Sequence, residues 1–262
     1  MGKIIAIANQ KGGVGKTTTN VNLSASLAAL GKKVLTIDID PQGNTTSGLG
    51  VEKRELAQSV YEVLINNVPA AEVILPTNVE NLFLLPSNID LVGAEIEMTS
   101  MIAREHILKE ALKEVREQYD YTLIDCPPSL GLLTLNALTT ADKVLVPIQC
   151  EFYALEGLSQ LIQTVNIVGK RLNPELSMEG VVLTMYDPRT NLSQQVVQEV
   201  KSFFNNKVYD TMIPRNVRLG EAPSFGLPIT LYDPTCSGAL AYMALAQEVI
   251  DSNGGKKDGE DQ

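Results

Sequence analysis

The stretch that decides the fold is QKGGVGKTTT, Gln10–Thr19. It ends as a phosphate-binding loop does, in Gly15-Lys16-Thr17, but it breaks the usual pattern of glycine, four residues, then Gly-Lys-Ser/Thr. The position five before Gly15 is Gln10, and a second lysine, Lys11, stands beside it. Gly12, Gly13 and Gly15 let the backbone come close to phosphates and turn the N–H groups from Lys11 to Thr18, that of Val14 included, towards them. A helix read from Lys16 to about Leu30, closed by Gly31, adds the positive end of its dipole. Lys16 is placed to reach outer phosphates, the Thr17 hydroxyl to bind Mg²⁺, and Thr18 to contact a phosphate oxygen. A turn with no ligand is the plain alternative. The buried strand in front, IIAIA (Ile4–Ala8), argues against it.

Two acidic motifs follow at the ends of other apolar runs. DIDPQGNTT places Asp38 and Asp40 two apart, so on a strand both point one way. Pro41 and Gly43 then break the strand into a loop. DCPPS, Asp125–Ser129, ends the run YTLIDC and offers Asp125 as the metal-side carboxylate. Ligands of open α/β sheets lie beyond the carboxyl ends of the strands, where all three motifs fall.

Six runs are continuous in Ile, Val and Leu rather than alternating: Ile4–Ala8, Lys33–Ile39, Leu82–Pro86, Tyr121–Cys126, Lys143–Ile148 and Glu179–Tyr186. That is the pattern of strands buried on both faces of a parallel sheet. Helical stretches lie between them, near Arg54–Asn66, Ser100–Gln118, Leu155–Arg171, Leu192–Asn205 and Gly238–Ile250. The expected fold is a doubly wound α/β domain with a mostly parallel sheet, of the P-loop NTPase type, over residues 1–250. Residues 251–262 are polar and are expected to be a disordered tail.

The chain has 262 residues, of which 44% are hydrophobic and 20% charged, within the range of globular proteins. No apolar run is long enough for a membrane span, and the start lacks a signal-peptide pattern, so a cytoplasmic location is expected. Cys126, Cys150 and Cys236 show no metal or disulfide spacing and read as reduced thiols. His106 reads as a helix-surface residue. The net charge of −10 opposes wholesale nucleic-acid binding. One segment differs: from Asp187 to Arg218 five basic residues face three acidic ones, a net of +2.

The motifs KGGVGKTT, DIDPQGN and DCPPS together resemble the ParA/MinD family of deviant Walker A ATPases. PIQCEFYALEGL (Pro147–Leu158), MYDPRTNLSQQV (Met185–Val196) and IPRNVRLGEAPSFGLPI (Ile213–Ile229) resemble its chromosomal partition branch, the Soj type. The resemblance implies ATP and Mg²⁺ as cofactors and an ATP-dependent homodimer. Lys11 would reach the partner subunit's phosphates, as an arginine finger does. Asp40 would orient the attacking water, and Asp38 would support the loop lysine or the metal shell. Pro214 and Asn216 match the adenine-contacting loop, with Met185 and Glu151 nearby. Arg189 and Arg218, helped by Arg215, would give the dimer non-specific affinity for nucleoid DNA. The partner implied is a ParB-type centromere-binding protein that stimulates hydrolysis.

Three alternatives stand beside this. One is a nucleotide-gated regulator of a replication initiator or of transcription. Another is a MinD-like membrane ATPase, which needs a basic amphipathic C-terminus where this chain has GGKKDGEDQ. The last is an iron–sulfur carrier, which needs cysteines at cluster positions.

Overall fold

The apolar runs form one sheet. The computed structural model describes residues 2–152, 155 and 158–254. Its strands are β1 (Lys3–Ile7), β2 (Val34–Asp38), β3 (Leu75–Pro76), β4 (Leu82–Leu85), β5 (Tyr121–Asp125), β6 (Lys143–Gln149), β7 (Ser177–Tyr186) and β8 (Val208–Pro214). They lie in the order β3-β4-β2-β5-β1-β6-β7-β8, and every neighbouring pair is parallel except the short edge pair β3–β4. Successive residues of β1 enter opposite cores: Ile4 and Ala6 join Leu35, Ile37 and Ile124, while Ile5 and Ile7 join Val34, Leu123 and Leu145. Burial on both sides is why these strands do not alternate in sequence. The helix α1 (Lys16–Ala29) and the C-terminal helix Ser237–Gly254 cover one face. Helices Leu91–Met98, Leu132–Thr140, Leu158–Arg171 and Asn191–Phe204 cover the other.

The strand order positions the site. β5 lies between β1 and β2, so Ile7 stands opposite Asp125, and Asp125 opposite Asp38. The phosphate-loop motif and both strand-end carboxylates therefore emerge at one level on adjacent strands, about 5 Å apart. Beyond β1 the sheet continues the other way through β6, β7 and β8. The crevice at this reversal is where open α/β sheets bind ligands.

The structure departs from the sequence reading in several places, the unread helices Leu91–Met98 and Leu132–Thr140 among them. β8 was not read, because VYDTMIP mixes polar and apolar residues as an edge strand does, and its register with β7 is irregular. The stretch Ser100–Gln118 is not one helix: turns, with Ala103 at a left-handed φ of 52°, precede a short helix Ile107–Ala111 and a 3₁₀ turn Arg116–Gln118. The helix read from Arg54 starts only at Val60, behind a capping box in which Ser59 and Glu62 bond each other's backbone ends. The helix read over Leu155–Arg171 is present from Leu158 to Arg171, and residues 156 and 157 lie outside the described residues.

The tail expected from Asp251 begins instead as helix, which runs to Gly254; residues 255–262 lie outside the described residues. Its last turn is held by Glu179 on β7. Glu179 Oε1 accepts from Tyr209 Oη (2.8 Å), Ser252 Oγ (3.0 Å) and Asn253 Nδ2 (2.8 Å), and Lys143 Nζ lies 2.6 Å from Oε2. Burial pushes this carboxyl up. The Lys143 ammonium and the surrounding donors outweigh burial and leave it below its ordinary 4.5. A lowered carboxyl pKa stabilises the fold fully above pH 4.5, and that stability is lost as pH falls below it. Glu179→Gln should therefore cost about 3 kcal/mol at neutral pH, the cost of breaking a buried pair, and flatten the loss of stability as pH falls below 4.5, read by denaturant unfolding.

Candidate nucleotide site

The phosphate loop is built by β1, α1 and two clamps. Gly13 and Gly15 adopt φ of 74° and 88°, the left-handed region that a side chain resists. The Thr184 hydroxyl on β7 donates to Val14 O (2.8 Å). Buried Asn9 donates to Pro147 O (2.7 Å) and accepts from Lys11 N (3.0 Å). The loop is thus tied to β6 and β7 at its two ends.

The two lysines have different surroundings. Lys16 is only 7% exposed, and its ammonium donates to Lys11 O at 3.2 Å. Burial lowers its pKa, against the opposing charges of Asp125 and Asp40. Lys11 is half-exposed, and among the described residues its ammonium has no hydrogen-bond or ion-pair partner. Gly12 between them is exposed, and a Cβ there would meet nothing within 4 Å.

Asp125 and Asp38 are completely buried. Burial raises both pKa values, and the neighbouring carboxylate raises Asp125 further. The Thr45 and Thr17 hydroxyls oppose the shift at Asp125. Its Oδ2 accepts from Thr45 Oγ1 (2.8 Å), and its Oδ1 has no hydrogen-bond partner among the described residues. A buried carboxylate oxygen with no donor, next to a hydroxyl and a repelling carboxylate, fits a divalent cation, and Thr17 and Asp125 are the residues that would hold it.

Asp38 does something else. Its Oδ2 accepts from both Thr46 N and Thr46 Oγ1 (2.8 Å each), and its Oδ1 from Asp40 N (3.1 Å). The sequence reading placed Asp38 by the loop lysine or the metal. In the structure its oxygens accept from the segment that follows. It fixes the start of α2 (Asn44–Gly48). Asp40 is held through its backbone, whose carbonyl accepts from Ser87 Oγ (2.9 Å), while its Oδ1 accepts from Gln42 N (2.9 Å). Its Oδ2 has no partner among the described residues.

Beside the loop lies a cavity of about 360 Å³ walled by Gly15, Thr18, Met185, Pro214, Asn216 and Tyr242, among others. Pro214, Asn216 and Met185, named from sequence, meet there. The Asn216 side chain is not free for a base, however. Its Oδ1 caps the helix Val217–Glu221 by accepting from Arg218 N (2.8 Å), and its Nδ2 donates to Ser237 Oγ (2.9 Å). Asn216 lines the cavity wall while its side chain is tied to the helix start and to Ser237. Glu151 is paired with Arg215 at 2.7 Å, in a second cavity that shares Met185 and Arg215 with the first.

Arg189 and Arg218 lie just past the carboxyl ends of the neighbouring strands β7 and β8. Arg189, 86% exposed, forms a two-pronged pair with Asp187 (2.9 and 2.8 Å). Arg218 bonds Glu221 at 2.9 Å and lies 3.6 Å from Asp233. Both are matched by carboxylates of their own chain. Burial keeps Cys126 and Cys150 protonated, pushing Cys150 up to about 12, so neither is a ready metal ligand.

A phosphate loop after a central buried strand, with strand-end carboxylates on the neighbouring strands, defines a P-loop NTPase, and the extra lysine places it in the ParA/MinD type. Residues 2–178 match the model of a family described as an AAA domain. The chain is 62% identical over 249 residues to the sporulation initiation inhibitor protein Soj of Bacillus subtilis (strain 168), spanning 95% of this chain and 98% of that one. It is 52% identical over 250 residues to the chromosome partitioning protein ParA of Myxococcus xanthus (strain DK1622), spanning 95% and 88%. Among solved structures, cobyrinic acid a,c-diamide synthase of Mycobacterium smegmatis with bound ATP analog and magnesium superposes with a TM-score of 0.87 at 39% identity over 95% and 94% of the two chains. The septum site-determining protein MinD of Pyrococcus horikoshii with Mg-ADP gives 0.80 at 28% over 99% and 100%. The chain belongs to the ParA/Soj family of P-loop ATPases.

Asn9, Thr46, Ser87 and Thr184 are the site residues that sequence reading missed. Thr46 stood inside the quoted DIDPQGNTT motif and Thr184 directly before the quoted Met185–Val196 stretch, whereas Ser87 followed a strand run that carried no motif. If Asp38 braces α2, Thr46→Val should cost about 2 kcal/mol by urea unfolding without nucleotide, the loss of bonds to a buried carboxylate. Stability within experimental error of wild type would return Asp38 to the metal shell.

Proposed function

We propose that this chain is an ATP-driven chromosome-partition ATPase whose ATP-bound form is a face-to-face dimer. The observation that carries the reading is the contrast between the two lysines. Lys16 is buried against Asp125 and Asp40, whereas Lys11, in the same loop, points an unpartnered ammonium beside an exposed glycine that no intrachain contact requires. A second copy approaching over Gly12 would bring the partner's lysine to the phosphates.

In this reading the loop N–H groups and Lys16 bind the ATP phosphates, and the cavity beside Met185 and Pro214 takes the base. Thr17 and Asp125 would hold Mg²⁺, which when bound would neutralise phosphate charge. Asp40, fixed through its backbone with one oxygen unpartnered, orients the water that attacks the outer phosphorus. ATP and water become ADP and phosphate. Lys11 from the partner stabilises the charge on the transferring group, which makes hydrolysis depend on dimerisation.

Arg189 and Arg218, with Arg215, would contact DNA phosphates without reading sequence. Each is matched by an acid in the single chain, so one subunit offers little net attraction. Two patches side by side raise the affinity by acting together. A ParB-type partner would then stimulate hydrolysis and release the dimer from nucleoid DNA within the cytoplasm. Control of another factor, such as a replication initiator, uses the same switch and is the second reading; the Bacillus subtilis relative, named as an inhibitor of sporulation initiation, carries a regulatory name.

Sedimentation with ATP, with and without DNA, tests the cycle. Asp40→Ala should accumulate as an ATP-bound dimer that co-sediments with DNA. Adding Arg189→Ala and Arg218→Ala to it should leave the dimer and lower DNA retention at least about tenfold, as loss of phosphate contacts does. A monomeric Asp40→Ala under these conditions contradicts the mechanism, and undiminished retention contradicts the arginine assignment.

A further inference from the structure

The two buried carboxylates at the site are each met by one residue of a threonine pair. Asp38 and Asp125 are partners in register on β2 and β5, and consecutive residues of α2 face them: Thr46 bonds Asp38 and Thr45 bonds Asp125. The first bond closes the loop that carries Asp40. The second reaches the carboxylate argued above to hold magnesium, and the proposed reaction gives it no role.

Thr45 has one proton to give, and the surroundings determine where it goes. Asn20 of α1 donates its amide to Thr45 Oγ1 (3.2 Å) and to Thr36 Oγ1 (2.7 Å). With its oxygen already accepting from Asn20, the Thr45 hydroxyl directs its hydrogen to Asp125 Oδ2 at 2.8 Å. All of these groups are fully buried, so no water competes for the bonds. The carboxylate is thereby fixed in one rotation, with Oδ2 occupied and Oδ1 unpartnered. An unpartnered buried carboxylate oxygen is costly unless something positive meets it.

We propose that Thr45, held by Asn20, is a positioning residue for the magnesium site: it takes Oδ2 of Asp125 and presents Oδ1 to the metal. The inference rests on the nucleotide reading above and adds to it a physical link. Thr45 lies five residues after Asp40, on a segment whose start is fixed by Ser87 Oγ and Gly43 N, both donating to Asp40 O (2.9 and 2.8 Å). Displacement of the Asp40 loop would draw Thr45 away from Asp125 and loosen the metal carboxylate. Metal retention and the position of the water-orienting aspartate are then coupled through one hydroxyl.

The test is the Mg²⁺ dependence of nucleotide binding, measured with a fluorescent ATP analogue titrated in EDTA and at increasing Mg²⁺. Thr45→Val keeps the shape of the side chain and removes the hydroxyl. It should raise the Mg²⁺ concentration for half-maximal tightening about tenfold, the usual effect of losing a group that orients a metal ligand. Affinity in EDTA should stay as in wild type, which a merely structural defect would not allow. Thr45→Ser should restore the wild-type Mg²⁺ dependence. If Thr45→Val does not fold, Thr45→Ala removes the same hydroxyl with less bulk and is read in the same way. Unchanged Mg²⁺ dependence, or parallel losses with and without Mg²⁺, overturns the inference alone. Wild-type protein that shows no Mg²⁺-dependent binding overturns the nucleotide reading and this inference with it.

Discussion

Asp38 and Asp125 sit opposite each other on adjacent strands, both out of reach of water, and the site is organised around their mutual repulsion. Two unscreened carboxylates at strand spacing raise each other's proton affinity and weaken the fold unless donors and cations meet them. The neighbourhood supplies these unequally. Asp38 receives three hydrogen bonds and is spent holding α2. Asp125 receives one, lies within the field of buried Lys16, and keeps an oxygen without a partner. One acid of an otherwise similar pair is thereby structural, and the other is left for chemistry.

The same inequality runs through the lysines. Lys16 loses hydration on burial and is kept close to the acids that offset the loss, a position suited to a phosphate arriving at the same place. Lys11 keeps its hydration and touches no acid among the described residues. Its backbone is fixed by Asn9 while its side chain is not, so the charge has a stiff base and a free reach of a long stem. A loop with one anchored and one unanchored cation suits a reaction in which each subunit binds its own nucleotide and completes its neighbour's.

Much of this was legible in the sequence, for reasons that can be named. Strands buried on both faces cannot alternate, so β1, β2, β5, β6 and β7 showed as continuous apolar runs, and the parallel sheet followed from them. The phosphate loop was legible because its glycines serve backbone geometry, which local sequence encodes. β8 was not, since an edge strand with irregular pairing needs neither a continuous nor an alternating pattern. The bonds from Thr46 to Asp38 were not legible, because the two-residue spacing gives the direction of a side chain but not its partners. Asn216 was found as a cavity residue for a related reason, while the capping bond that occupies its side chain shows only in three dimensions. The last turn of the C-terminal helix looked like tail because its polar Ser252 and Asn253 are satisfied by Glu179, which lies more than seventy residues earlier in the chain.

The central claim is that Lys11 acts on the partner's nucleotide and Asp40 on its own, and mixing two inactive variants separates those roles. Lys11→Ala has an intact Asp40 but cannot complete a neighbour. Asp40→Ala has an intact Lys11 but cannot use its own water. In a mixed dimer the site of the Lys11→Ala subunit receives Lys11 from the Asp40→Ala partner, so ATP hydrolysis should return on mixing, from one of the two sites, with each variant inactive alone. If the mixture stays as inactive as its components while mixed dimers form, Lys11 serves its own subunit and the account is wrong.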